Sequence, residues 1–374
     1  MKKTLITLVL ALLVTASAYS QEKKKEFTPS FKVWGQAFMD YYYKVSGDTT
    51  GTSTMEYAKI PKDRQAFAFR RVNLGLNYDI SEKFSTELIL EYGGNDLLPA
   101  TILYNDGKTS TSFDGKASIY VKLANIRWKN IFPGSDLVLG QTSTPAFSFL
   151  SEKVWGFRNV ERNIMDAHRN VSSFDFGAGL FGKFDKEGNF GYNFLIANGR
   201  GAQLENNKFK KYYADAFAYF MDKKIVVDLY GDYDDRSATL KTYTVKGFAA
   251  LQLEKFRLGV EAFQQTLEPT SGTAQRPFGV SAYTSAYFFS DKNLKLDINA
   301  FVRYDYYDPD NSKSTYTSPS DYKESFFTLG VDFQLDKQVH IIPNLWMNAY
   351  SGKDGAPDRS TDIVPRITVS YRTP

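Results

Sequence analysis

Seven ionisable side chains fall close together in one stretch of this 374-residue chain: Lys153, Arg158, Glu161, Arg162, Asp166, His168 and Arg169. Both signs of charge in so short a run put a transverse field across any space the run borders. That is the chemistry of screening ions and small polar solutes, with Arg and Lys favouring anions and Asp and Glu favouring cations. Catalysis is the competing chemistry. The chain has two histidines, His168 and His340, and neither sits in a recognisable Ser-His-Asp pattern, so no enzymatic activity is expected. With no cysteine, neither a disulfide framework nor a thiol metal site can form. Asp308-Pro-Asp-Asn-Ser312 and Asp232-Tyr-Asp-Asp235 hint at calcium but lack the glycine and distal glutamate of a dedicated loop. Turn chemistry accounts for them. The chain has no phosphate-cradling Gly-Lys-Thr loop and no zinc pattern, so no cofactor is expected.

The charged run belongs to a longer segment, Gly140 to Lys183, that reads as strand end, long loop, strand start. Pro145 cannot donate to a sheet ladder, which marks the opening of the loop. Alternation resumes after Ser173, with Phe174, Phe176, Ala178 and Leu180 against Asp175, Gly177 and Gly179. A loop of roughly 30 residues is uncommon in a compact domain and usually functional. Residues 143–172 are therefore expected to fold into the lumen of a membrane barrel and narrow its bore. Trp155 and Phe157 are expected to wedge the loop against the wall.

The rest of the chain must supply that barrel. Met1-Lys-Lys3, the apolar run Thr4–Val14 and the small residues Ala16-Ser-Ala18 read as a secretory signal peptide over 1–20. Residues 21–30 are polar and basic, a periplasmic lead, and 31–374 would form the barrel. The formal charge of +4 falls to about +2 without Lys2 and Lys3, too balanced to suggest nucleic acid. Aromatics make up 16% of residues, with 25 Tyr and 30 Phe, and no later run is apolar enough for a helical span. Alternating stretches recur throughout, from Phe31–Lys44 to Ile363–Tyr371, and predict about 16 strands. Lys116–Lys129 alternates imperfectly and predicts a bulge. Seven links are tight and eight are longer, the asymmetry of a bacterial barrel with tight turns at the periplasmic rim.

One face of nearly every strand is apolar and the other carries charge at mid-strand. In a dry core each such charge costs several kcal/mol unless paired, whereas in a wet lumen it costs little. Candidate wall residues are Arg71, Glu87, Arg127, Lys246, Arg257 and Arg303. Over the whole inward face acids outnumber bases, which predicts weak selectivity.

Several motifs carry a resemblance. They are Phe69-Arg-Arg-Val-Asn-Leu-Gly75, Leu139-Gly-Gln141 through Pro145, Val160-Glu-Arg162, and Asp175-Phe-Gly177 with Gly182. In this order they resemble the phosphate-selective porin O/P family over roughly the first half of the chain. The resemblance implies a 16-stranded, trimeric outer-membrane channel whose third external loop narrows the pore, with phosphate or another anion as solute. The chain departs from that pattern at Phe174, where the family often has Arg, and after Tyr371, where Arg372-Thr-Pro374 follows.

The expectation is an all-β, 16-stranded antiparallel transmembrane barrel with an inward-folded third external loop, in the outer membrane of a Gram-negative bacterium. Its function would be diffusion of small hydrophilic solutes and ions with weak selectivity. Two other classes remain open. A barrel enzyme, phospholipase or protease, would hydrolyse substrate through His168 or His340, and a closed binding or adhesion barrel would not conduct.

Overall fold

The computed structural model describes residues 27–48, 53–92, 102–103, 109–110, 119–291, 293 and 296–373. The leader and residues 21–26 of the lead lie outside them. Sixteen antiparallel strands form one closed barrel. The first eight are β1 (Ser30–Tyr43), β2 (Gln65–Asp79), β3 (Phe84–Tyr92), β4 (Ile119–Phe132), β5 (Ser135–Ser143), β6 (Phe174–Lys183), β7 (Phe190–Ala197) and β8 (Lys211–Phe220). The second eight are β9 (Ile225–Ser237), β10 (Leu240–Gln252), β11 (Phe256–Pro269), β12 (Phe278–Asp291), β13 (Leu296–Asp308), β14 (Lys323–Asp336), β15 (Val339–Ser351) and β16 (Asp362–Arg372). Each pairs with its neighbours in sequence, and β1 closes on β16 from Gln36 opposite Arg372 to Tyr42 opposite Arg366.

Closure follows from two-sidedness. Side chains alternate across a strand. One set, including Leu74, Leu229, Val245, Val260 and Ile367, lies exposed on the outside. The opposite set, including Asp40, Asp228, Lys246, Arg303 and Arg366, is buried inside. A bilayer has no water to satisfy backbone groups, so a sheet with an apolar exterior must close on itself. Exposed Tyr212, Tyr243 and Tyr304 ring the long-loop end, and exposed Phe184, Phe220 and Phe288 ring the tight-turn end. These are the interfacial girdles expected of such a wall. Their inward neighbours Tyr42, Tyr213 and Tyr307 are buried instead.

Three departures from simple alternation matter. β9 and β10 run farther than periodicity indicated and meet through the two-residue link Ala238-Thr239, so one expected long loop is a tight hairpin. In β4 the register slips at Lys122, because Ile89 pairs with Leu123 while Leu90 pairs with Val121. That is the expected bulge. In β2 the register slips at Arg70, because Phe38 pairs with Arg71 while Met39 pairs with Phe69. This second bulge turns two successive arginines inward and leaves Phe67 and Phe69 on the outer surface.

Two long loops pack against the inward face. Residues 144–173 link β5 to β6 and contain two short helices, α1 (Ser151–Trp155) and α2 (Ile164–Ala167). α1 lies against β10 and β11, and α2 against β12. Trp155 meets Tyr283 and Phe301 with ring centroids 5.0 and 5.8 Å away, and Phe157 meets Phe301 at 4.3 Å. Both aromatics therefore wedge the loop onto the wall. The link between β1 and β2 also buries itself: Met55, Tyr57, Ala58 and Ile60 pack with Phe326, Trp346 and Val364. The Thr54 hydroxyl donates to the Ala167 carbonyl at 2.8 Å, joining the two loops.

Candidate pore constriction

Local chemistry shapes the third loop before the wall holds it. The Asn163 side chain accepts from the Met165 amide at 2.9 Å and caps α2. Gly156 ends α1 in the left-handed region, φ 74°, where a Cβ would also lie 2.6 Å from Arg257. Between the helices, three wall arginines grip the backbone. Arg70 donates to the Asn159 carbonyl, Arg366 to Val160 at 2.5 Å, and Arg303 to Arg162 at 2.7 Å. Each is tied in turn to a carboxylate. Arg303 meets Asp305 at 2.6 Å, and Arg70 bridges Asp40 and Glu56. Asp40 is a hub, 2% exposed, that also accepts from Tyr57 at 2.7 Å and Thr368 at 2.6 Å.

The remaining passage lies on the other side of the loop, against β1–β4. Toward the long-loop end lies a space of about 290 Å³ lined by Arg71, Glu91, Tyr120, Lys122, Arg158, Asp166 and Arg169 among others. Below lies a space of about 600 Å³ that adds Glu87, Glu152, Lys153 and Arg372. The two share Arg71, Lys122, Arg158 and Ser173, which mark the neck. At the neck Glu91 takes Lys122 at 2.6 Å, Arg71 at 3.5 Å and the Tyr120 hydroxyl at 2.6 Å. Across the gap Arg158 bridges Glu152 and Asp166, the latter at 3.2 Å. Burial, with Arg71 next in weight, lowers the Arg158 guanidinium to about 10, so it stays charged near neutrality. Burial pushes the Asp166 carboxyl up, but Arg158, Arg162 and Arg71 outweigh it and hold the carboxyl below its ordinary range.

The structure thus brings Lys153, Arg158, Asp166 and Arg169 of the loop to the passage, facing Arg71 and Glu87 of the wall. Glu161 and Arg162 lie elsewhere. Glu161 is fully buried and accepts from Trp346 at 2.7 Å, and Arg162 is buried behind it with a bond to the Asp166 carbonyl at 3.4 Å. Lys246 pairs with Asp228 at 2.8 Å, and Arg303 with Asp305, both beneath the loop. Arg127 pairs with Asp136 at 3.0 Å in a cavity at the tight-turn end, and Arg257 lines another there. Lys122 and Arg70 escaped the sequence reading because each sits at a bulge, whereas Glu91 falls on the same inward face as Glu87, as alternation along β3 predicts. A signal existed: Phe67 and Phe69 are odd-numbered and Val72 and Leu74 even, so one residue between them must be extra.

Both histidines are bound up in packing. His168 stacks on Tyr307 with centroids 3.7 Å apart, and His340 faces Asp332 at 3.0 Å. In the calcium-like run, the Lys353 ammonium lies 3.0 Å from Asp308 and also donates to the Asp310 carbonyl, where a cation would have to sit.

No family model matches the sequence, and no curated protein matches it either. Solved structures do. The outer membrane channel DcaP of Acinetobacter baumannii aligns over 94% of this chain and 99% of its own, with a TM-score of 0.65 and 10% identity. An anion-selective porin from Comamonas acidovorans aligns over 92% and 100%, at 0.60 and 13%. The trimer form of OmpT, an outer membrane protein of Vibrio cholerae, aligns over 93% and 100%, at 0.58 and 11%. The fold is that of the porins. A closed 16-stranded wall with an apolar belt places the chain in the outer membrane of a Gram-negative bacterium.

Proposed function

We propose that the protein is a water-filled diffusion channel for small hydrophilic solutes, weakly selective for anions, in which the third loop folds inward to set the bore. The carrying observation is the charge along the passage. Arg71, Lys122, Lys153, Arg158, Arg169 and Arg372 face Glu87, Glu91, Glu152 and Asp166, six bases against four acids. The inward face as a whole is richer in acids. Many of them, however, lie away from the passage in buried pairs, such as Asp40 with Arg70, Asp228 with Lys246 and Asp362 with Lys44. A permeating ion feels the groups it passes at short range, since screening at physiological salt acts over about 8 Å. Arg71 also has Nη1 buried without a protein acceptor among the described residues, which suits an anion. Phosphate is one such solute, as the sequence resemblance implies.

The reading includes a homotrimer, supported by likeness to a porin fold seen as a trimer, and treats both histidines as structural rather than catalytic. Bilayer recordings of the refolded protein in a KCl gradient test it. The reversal potential should shift modestly toward the chloride limit. A shift toward potassium, or no conductance at all, would overturn the proposal. Phospholipid or peptide hydrolysis by the pure protein, lost on His340→Ala, would favour an enzyme instead.

A further inference from the structure

A second cavity opens at the tight-turn end of the barrel, between the underside of the third loop and the wall from β4 to β10, with a volume of about 510 Å³. Its floor is aromatic. Phe149 packs edge-on against Phe181 at 5.2 Å, and Phe217 edge-on against Tyr219 at 5.9 Å. Phe149, Phe217 and Tyr219 are only partly buried: they pack against a buried cluster on one side and line the cavity on the other. Aromatic area left exposed in a wet lumen is unfavourable, and an apolar solute would cover it.

The rim is cationic. Arg127, Lys153, Lys183 and Lys223 line the same space, and among the described residues no Asp or Glu does. Asp136 balances Arg127. Lys153 Nζ lies 5.8 Å from the Phe149 ring centre and Arg127 5.9 Å from that of Phe181, so each charge stands beside a ring. Inorganic ions need no such floor, and neutral aromatics need no such rim.

We propose that this cavity is a binding subsite for small aromatic carboxylates, with the ring on Phe149, Phe217 and Tyr219 and the carboxylate toward Lys153 and Lys223. The inference rests on the channel reading and specifies one solute class for it. A solute leaving the neck passes Lys153, which lines both spaces, so the subsite lies on the route.

The test is single-channel recording of the full-length protein in KCl with benzoate, acetate or benzyl alcohol added on the periplasmic side. Benzoate should reduce the current in a saturable way, while acetate and benzyl alcohol, each lacking one half of the chemistry, should not. Phe217→Ala should raise the half-blocking concentration at least fivefold relative to that variant's own open current, and Lys153→Gln should do the same. Equal block by benzoate and acetate, or block unchanged in both Phe217→Ala and Lys153→Gln, would overturn the subsite while leaving the KCl conductance and the channel intact. Absence of KCl current would instead sink the channel reading beneath it.

Discussion

Arg70 shows how much one extra residue can decide. Its neighbour Arg71 lines the cavity beside β1–β4, whereas Arg70 anchors the third loop. Replacing Arg70 with Gln should strand Asp40, already 2% exposed, with Arg366 at 3.9 Å as its one remaining ion-pair partner among the described residues. Removing one member of a buried pair costs on the order of 3–5 kcal/mol. The expected result is a clearly lower urea midpoint for Arg70→Gln and little change for Arg71→Gln, which should alter selectivity instead. His168 makes a second prediction at this scale. Burial first, then Arg162 and Arg303, push its imidazole down to about 3. The unfolded chain takes up that proton near pH 6.5, the folded one only near 3. Stability from neutral His168 is thus complete above pH 6.5 and falls as pH drops, by up to about 1.4 kcal/mol per unit. Thermal melts between pH 7.5 and 4 should show wild type losing ground to His168→Phe, which keeps the stack on Tyr307 without the titration. Parallel losses in both proteins would contradict this.

The third loop is an element whose backbone the wall holds as firmly as its side chains. Its aromatic wedge is the part that sets its position. Trp155→Ala removes a fully buried ring from contact with Tyr283, Phe157 and Phe301. Large-to-small changes of this kind cost about 3–5 kcal/mol where the site cannot collapse. The loop should then move away from β11–β13, giving noisier and altered single-channel conductance while the barrel still migrates as a folded species on unheated gels. Conductance identical in mean and noise to wild type would show that the wedge does not position the loop. The first loop has a comparable role that its composition did not advertise. Residues 46–64, rich in Gly, Thr and Lys, read as a long loop, but Met55, Tyr57, Ala58 and Ile60 bury against Trp346 and Val364. Four apolar residues in a polar link carry no periodicity, and only the lumen wall gives them a partner.

At the scale of the whole molecule the channel is asymmetric. The first and third loops pack on the wall from β5 round to β16 and onto β1 and β2, and the open cavities lie beside β1–β4. Charge along those cavities should therefore control selectivity. The double variant Arg71→Gln, Lys122→Gln removes two of the six bases facing the passage and leaves four acids. Its reversal potential in a KCl gradient should move toward potassium. The change Lys246→Gln, beneath the loop, should shift it far less, and an equal shift in both would refute the assigned route.

Strand number, closure, membrane face and the long third loop were all legible in the sequence. Each rests on alternation or link length, which are local and which a bilayer enforces along the whole wall. Phe31–Val33 and Leu74–Leu76 announce their lipid side without any partner in view. The contents of the lumen were not legible in this way. Arg70 and Lys122 face inward through bulges that break the alternation, and Glu161 and Arg162 disappear into a contact that unites residues nearly 200 positions apart. Pairing between a loop and a distant wall has no sequence period, so only the tertiary structure decided which charges meet water and which meet each other.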